Sequence, residues 1–373
     1  MRDFLKLIFF IAILFVIIIG PSEERMHLHH DGPYSSEEIS PSPSPEPGKN
    51  AVIYTKKEIQ YEGAPQVLHI LELDLSNPGL EVFPVLSKDQ IFGFELLSDI
   101  DKRYEATATV NAGFNFAFGQ PSGLVIQNGK LLSSSKGYGR ILFIDGQKAW
   151  FSSPPFKVSL KTENFELPVN SVNPYPHEEG ILLYTREYGP TNRIDAEYTA
   201  CIVRNGIVES TQVVSGELEI PKDGFLVADL NLENSPLLNF SPGQKVELLL
   251  QEQVEQGYQC SGSLVENGNN VAKDADEWAG NLRVYTPRTA VGIKDESTLV
   301  FVVVDGRQPG YSTGVTGKQL ADILISLGVT EAALLDGGAS SELIYNGEIV
   351  NRPSTGKERL LASAFVIKYD LMK

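Results

Sequence analysis

The chain is poor in cysteine and in positive charge. Its 373 residues include only two cysteines, Cys201 and Cys260. No C-x-x-C pair occurs, so zinc ribbons and thioredoxin-type chemistry have nothing to build on. Lys and Arg number 31 against 48 Asp and Glu, a formal net charge of −17. Nucleic-acid binders draw much of their affinity from Lys and Arg on phosphates, so this balance argues against a nucleic-acid partner. It also disfavours adsorption to an anionic lipid surface, and any phosphate recognition must come from a local arginine cluster. There is no repeat of fixed period, and no polar linker divides the chain after Lys49.

What the N-terminus does contain is an apolar run from Leu7 to Ile19 behind Arg2 and Lys6. That length lies between a signal-peptide core and a full membrane span. With Gly20 leading straight into Pro21, Ser22, Glu23 and Glu24, residues 1–20 are read as a signal peptide or an uncleaved N-terminal anchor. Either reading exports the rest, making the protein extracytoplasmic and either membrane-anchored or secreted. Residues 21–50, with S-P-S-P-S-P-E-P at their centre, bury too little apolar surface to fold and are read as a disordered tether. His27, His29, His30 and Asp31 are read as solvated linker side chains, since nothing nearby fixes a metal geometry.

From residue 51 to 373 the pattern is mostly strands. Asn128-Gly129, Asp145-Gly146, Asn205-Gly206 and Asn346-Gly347 are pairs favoured by two-residue hairpin turns. Two helices are expected. One covers Phe94 to Tyr104, with Leu96, Leu97 and Ile100 on one face. The other covers Gly317 to Leu327, with Leu320, Ala321, Ile323, Leu324 and Leu327 buried, a Thr316/Gln319 capping box at its start and Gly328 as its stop. The fold class expected is α+β, with mixed, mostly antiparallel sheets and few helices, and a β-rich lobe within residues 157–260. In an exported chain Cys201 and Cys260 are compatible with a disulfide, worth roughly 4 kcal/mol in the chain-entropy model. They are equally compatible with two buried thiols.

The stretch with most chemical promise is E-A-A-L-L-D-G-G-A-S-S, Glu331 to Ser341. A buried strand ends in Asp336, and Gly337, Gly338, Ser340 and Ser341 then form a turn whose N–H groups could cradle an anion. An isolated D-G-G is usually only a tight turn, so other segments decide its meaning. V-N-A-G-F-N-F offers Asn111 for sugar hydroxyls and Phe114 or Phe116 for sugar faces. T-P-R-T-A-V-G holds Arg288 behind a proline, suited to a two-pronged grip on phosphate. The buried run L-V-F-V-V-V ends in Asp305, Gly306 and Arg307. Finally, Arg352, Lys357, Glu358 and Arg359 follow a hairpin that is able to fold them back toward Asp336.

Taken together, N-A-G-F-N, P-S-G-L-V-I-Q-N-G-K-L, P-R-T-A-V-G-I, V-V-V-D-G-R-Q-P-G-Y-S-T-G, L-A-D-I-L-I-S-L-G-V, L-L-D-G-G-A-S-S and the closing E-R resemble the phosphodiester glycosidase family, in order from about Asn111 to Ile367. The resemblance implies hydrolysis of the bond between a sugar's anomeric carbon and a phosphodiester. The substrate would be an N-acetylglucosamine-1-phosphodiester-like unit in cell-surface or exopolysaccharide material. Asp336 and Asp305 are then candidates for base, nucleophile or metal ligand, and Glu358 for acid–base work. Asn111 would orient the sugar. Arg288, Arg307 and Arg359 would hold phosphate, with the Gly337–Ser341 backbone and the Ser340 and Ser341 hydroxyls as a second cradle. No cofactor is required by this chemistry, although calcium or magnesium shared between the two acidic loops is a further option. One departure stands out: Ala339 replaces the family's usual third glycine. A catalytically silent, wall-anchored phosphoglycan-binding protein is the alternative. A serine hydrolase using Ser340 or Ser341 has no G-x-S-x-G to support it.

Overall fold

In the computed structural model, residues 51–370 apart from 233 are described, and strands far outnumber helices among them. Residues 1–20, the 21–50 tether and its histidines lie outside the described residues. No helix among the described residues is long and apolar enough to cross a membrane.

The central sheet has seven strands in the order Val52–Tyr61, Ala64–Asp74, Thr298–Val304, Arg288–Asp295, Glu331–Leu334, Ser263–Glu266, Asn269–Asn270. Every neighbouring pair in it is antiparallel. Thr298–Val304 is buried along its whole length, as its unbroken apolar run requires. Alternate residues of these strands enter different cores, because side chains on a pleated strand point to opposite faces. Leu71, Leu73, Val291, Phe301 and Val303 face one core. Ile70, Ala290, Val300, Val302 and Leu334 face another, covered by Leu320, Ala321, Ile323 and Leu324 of the Gly317–Ser326 helix.

A second, five-stranded sheet runs Glu348–Ile349, Leu343–Tyr345, Ala108–Asn111, Ser363–Tyr369, Leu80–Leu86. Val82, Val110, Leu343, Phe365 and Ile367 share the first core with the central sheet. Its other face, with Val85, Ile344 and Val366, is covered by Leu97 and Ile100 of the Leu97–Tyr104 helix. Two sheets therefore meet face to face and one helix closes each outer side. Strands between Val158 and Leu250 build two further small sheets. They pack through Val158, Leu183 and Cys201 against Leu124, Ile141 and Phe143 of a third five-stranded sheet. Gln256–Cys260 belongs to that third sheet, beside Arg140–Asp145, and not to the lobe.

The mostly antiparallel sheets and few helices are as expected, but with two α-helices among the described residues the arrangement is sheet-dominated rather than clearly α+β. The Thr316/Gln319 capping box forms, with reciprocal hydrogen bonds of 3.2 and 3.0 Å. The other helix starts at Leu97, later than expected, because Glu95–Leu96 is drawn into a strand pair with Leu360–Leu361. Asn128-Gly129, Asn205-Gly206 and Asn346-Gly347 are two-residue turns with positive φ at both positions. Asp145 stays in its strand, and the turn there is Gly146-Gln147. Cys201 and Cys260 are both free and buried, and burial pushes both thiols up, Cys260 to about 12.

The rings of Phe301 and Phe365 meet at 5.0 Å between centroids and join the two main sheets. Phe301→Ala should lower the free energy of unfolding by about 3–5 kcal/mol, measured by denaturant titration.

Candidate functional site

The antiparallel register of the central sheet brings distant segments to one edge. Arg288 pairs with Val304 and Ala290 with Leu334. Asp305 and Asp336 thus leave their strands at the edge where Arg288 enters its own. The second sheet reaches the same place through Asn111, since Asp336 N donates to Ala112 O at 3.0 Å.

A pocket of about 100 Å³ opens here, lined among others by Asn111, Gly113, Asn115, Asp336, Ser340 and Arg359. Burial raises the Asp336 carboxyl above the ordinary carboxylate range, while the Ser340 hydroxyl and the Arg359 charge pull it back. Gly113 has no substitute at this wall: a Cβ there would lie 2.8 Å from the Tyr258 ring and hydroxyl. Its N–H instead donates to Tyr258 Oη at 2.8 Å, and that oxygen is 2.8 Å from Ser363 Oγ.

Arginines flank the turn behind Asp336. Arg288 is buried and donates to two carbonyls, Val315 O at 3.2 Å and Val284 O at 3.1 Å. Burial pushes its guanidinium down to about 10, with the Asp276 charge opposing and the Arg307 charge adding to the shift. Arg307 has a left-handed backbone, φ 60°, and its guanidinium lies over Gly338, where a Cβ would come within 3.2 Å of it. Among the described residues, none of Arg288, Arg307 and Arg359 is in an ion pair. Three guanidinium groups around one turn without a carboxylate partner make a site suited to an anion.

Several expected roles change. Asn111 reaches the pocket wall, but its amide is fully engaged by protein. Nδ2 donates to Asp336 O at 2.7 Å and Ala112 O at 3.3 Å, while Oδ1 accepts from Thr289 Oγ1 at 2.8 Å and Glu342 N at 3.1 Å. It fixes the turn and leaves no free group for a sugar hydroxyl. Asp305 is buried in a cage: His69 Nε2 at 3.1 Å, Tyr311 Oη at 3.0 Å, Asn351 Nδ2 at 3.2 Å and Arg352 N at 3.0 Å. A carboxylate held on all sides organises neighbours and is badly placed to attack or to bind a cation. Glu358 is not among the pocket-lining residues and caps the Leu97–Tyr104 helix, accepting from Ser98 N at 2.9 Å and Ser98 Oγ at 2.8 Å. The backbone cradle is also mostly occupied, because Gly338 N donates to Pro287 O, Ser340 N to Gly337 O and Ser341 N to Gly338 O. Ser341 is buried with its hydroxyl unpartnered and is not part of the pocket lining.

Phe114 lies against Trp278, while Phe116 is exposed. Arg352 stacks on Tyr311 at 3.8 Å. Ala339 is not among the residues with positive φ, so its methyl group brings no backbone strain. Among the described residues no three His, Cys, Asp or Glu side chains converge as metal ligands. Sequence reasoning overlooked Glu342, a buried carboxyl whose Oε1 accepts from Arg359 N at 2.7 Å. Its only signal was a lone acid between the turn and the apolar Leu343-Ile344.

Residues 189–368 match the family model described as phosphodiester glycosidase, a stretch that includes Arg288, Arg307, Asp336 and Arg359. That stretch, just under half of the chain, is similar to the phosphodiester glycosidase family. The SPbeta prophage-derived uncharacterized protein YomE of Bacillus subtilis is 36% identical over 106 residues, covering 28% of this chain and 16% of that protein. A hypothetical protein from Synechocystis shares the fold with a TM-score of 0.73 at 18% identity, over 86% of this chain and 62% of that one. A putative exported protein from Burkholderia pseudomallei does so with a TM-score of 0.63 at 22% identity, over 82% and 74%.

The two aspartates should separate on stability. Asp305→Ala removes the centre of a buried hydrogen-bond cage and should cost about 3 kcal/mol or more of unfolding free energy. Asp336→Ala removes a carboxyl that is itself disfavoured by burial and should leave stability unchanged or slightly higher. Paired denaturant titrations at neutral pH check both.

Proposed function

We propose that the protein is an extracytoplasmic hydrolase that cleaves the glycosidic bond of a sugar-1-phosphodiester, of the N-acetylglucosamine-1-phosphodiester type, in cell-surface or exopolysaccharide material. The observation that carries this reading is the half-buried Asp336 carboxyl with three unpaired arginines around its turn. Similarity to the phosphodiester glycosidase family supports hydrolase chemistry, and the site suggests how it would run.

A phosphodiester leaves well once its charge is met, so the main demand is electrostatic. Arg307, exposed over Gly338, and Arg288 beneath the turn would receive the phosphoryl oxygens, with Arg359 at the pocket. As the bond from the anomeric carbon to the phosphoryl oxygen breaks, its electron pair goes to the phosphate. A water molecule forms the new bond to that carbon, and Asp336 in its ionised form takes the water's proton. Burial raises the Asp336 carboxyl above its ordinary value, which makes its ionised form a stronger base. Ser340 and Arg359 hold its charge. Asn111 positions Asp336 through the main chain and does not touch substrate. The products are the free sugar and a phosphate monoester.

Release of sugar from a panel of sugar-1-phosphodiesters tests the reading, with conventional glycosides as controls. Asp336→Asn should lower kcat by about 100-fold or more, and Arg307→Ala should act mainly on KM. Because the folded Asp336 carboxyl is raised above its ordinary 3.8, activity should fall with acid at a pH above that value. Unchanged turnover in Asp336→Asn removes it from the mechanism, and preference for conventional glycosides removes the substrate class.

A further inference from the structure

Glu342 is not used by this mechanism, yet it is among the most enclosed acids in the protein, 1% exposed. Its main chain is pinned twice by Asn111, which takes the Glu342 N–H on its side-chain oxygen at 3.1 Å and donates its own N–H to Glu342 O at 3.1 Å. The side chain starts from a fixed point as a result. Oε1 accepts the Arg359 N–H at 2.7 Å, and Oε2 is buried with no partner. Asn111 also holds Asp336 O. The two walls of the pocket, one carrying Asp336 and the other Arg359, are thus tied together through Asn111 and Glu342.

We propose that Glu342 is a positioning residue that holds the Arg359 segment against the pocket. This rests on the hydrolase reading for its consequence in turnover, and on the geometry alone for its effect on Arg359. A buried carboxylate with one oxygen bare and no ion pair is very unfavourable, whereas the uncharged acid is tolerable there. Burial, with the neighbouring Glu358 charge adding, raises Glu342 from its ordinary 4.5 to about 8, against the pull of the Arg359 N–H and guanidinium. Glu358 and Arg359 are the charged groups acting on it. Glu358 is itself fixed as the cap of the Leu97–Tyr104 helix. When Glu342 ionises, the burial of its charge, with the Glu358 carboxylate adding, outweighs the hold of the Arg359 N–H and guanidinium. The balance then shifts toward arrangements in which the segment leaves the pocket and Glu342 meets water.

The sign follows from linkage: the fold favours the protonated acid, so wild type loses stability as pH rises from about 4.5 to about 8. Glu342→Gln keeps the acceptor for Arg359 N and cannot ionise. Its unfolding midpoint should therefore exceed that of wild type by a margin that widens from pH 5 to pH 8.5. With a sugar-1-phosphodiester, wild type should lose kcat/KM several-fold between pH 7 and pH 9, and Glu342→Gln should not. Sulfate, whose charge is constant over this range, serves as a probe that needs no turnover. Its affinity should fall with pH in wild type and stay level in Glu342→Gln. Superimposable sulfate titrations for the two proteins overturn the proposal. If sulfate behaves as expected but no sugar-1-phosphodiester is cleaved by either protein, the positioning role stands and the hydrolase reading fails.

Discussion

The structure around the site depends on one side-chain amide. Asn111 ends a strand of the second sheet, and its oxygen takes a hydrogen bond from Thr289 of the central sheet. The same amide binds both ends of the Asp336–Glu342 turn. Each of its four hydrogen-bonding capacities is met inside the protein, the condition under which a buried polar group makes a neighbourhood rigid. Without it, two sheets would still share a core, since apolar packing is not directional. Nothing would then set the turn's distance from the Arg359 segment.

The charge distribution has a similar logic. A protein of net charge −17 repels long polyanions as a whole. The exposed Arg307 acts only at short range, because salt screens exposed charges beyond about 10 Å. On the proposed reading such a surface would be selective by scale, unfavourable to a phosphate polymer lying along it and favourable to one phosphoryl group entering the edge of the sheets. Keeping Arg288 charged while buried is a strain that an incoming anion would relieve, which is one physical meaning of its lowered proton affinity.

Much of this was legible in the sequence where the signal was local or periodic. The run Leu299–Val304 announced a strand buried on both faces, Thr316 and Gln319 announced a helix start, and three Asn-Gly pairs announced their turns. Convergence of Asp305, Asp336 and Arg288 was an expectation only, and it is the antiparallel register that brings them to one edge. What could not be read was the direction of side chains once there. Asp305 and Glu358 carry the same chemistry on paper as Asp336, yet one is enclosed by four donors and the other caps a helix 260 positions away in sequence. Asn111 was legible as important and illegible as saturated. Glu342 was missed because a single acid beside a strand looks like solvent-facing punctuation until its burial is known. Short strands such as Glu95–Leu96 were illegible because they exist only through a partner far along the chain.

The two enclosed thiols have a consequence for how the fold is held. Cys201 and Cys260 sit in different strands, each within packed apolar surroundings and neither joined to the other. The described fold therefore holds its two main cores without a cross-link between these strands. Each thiol instead fills space between packed sheets as a small apolar side chain would.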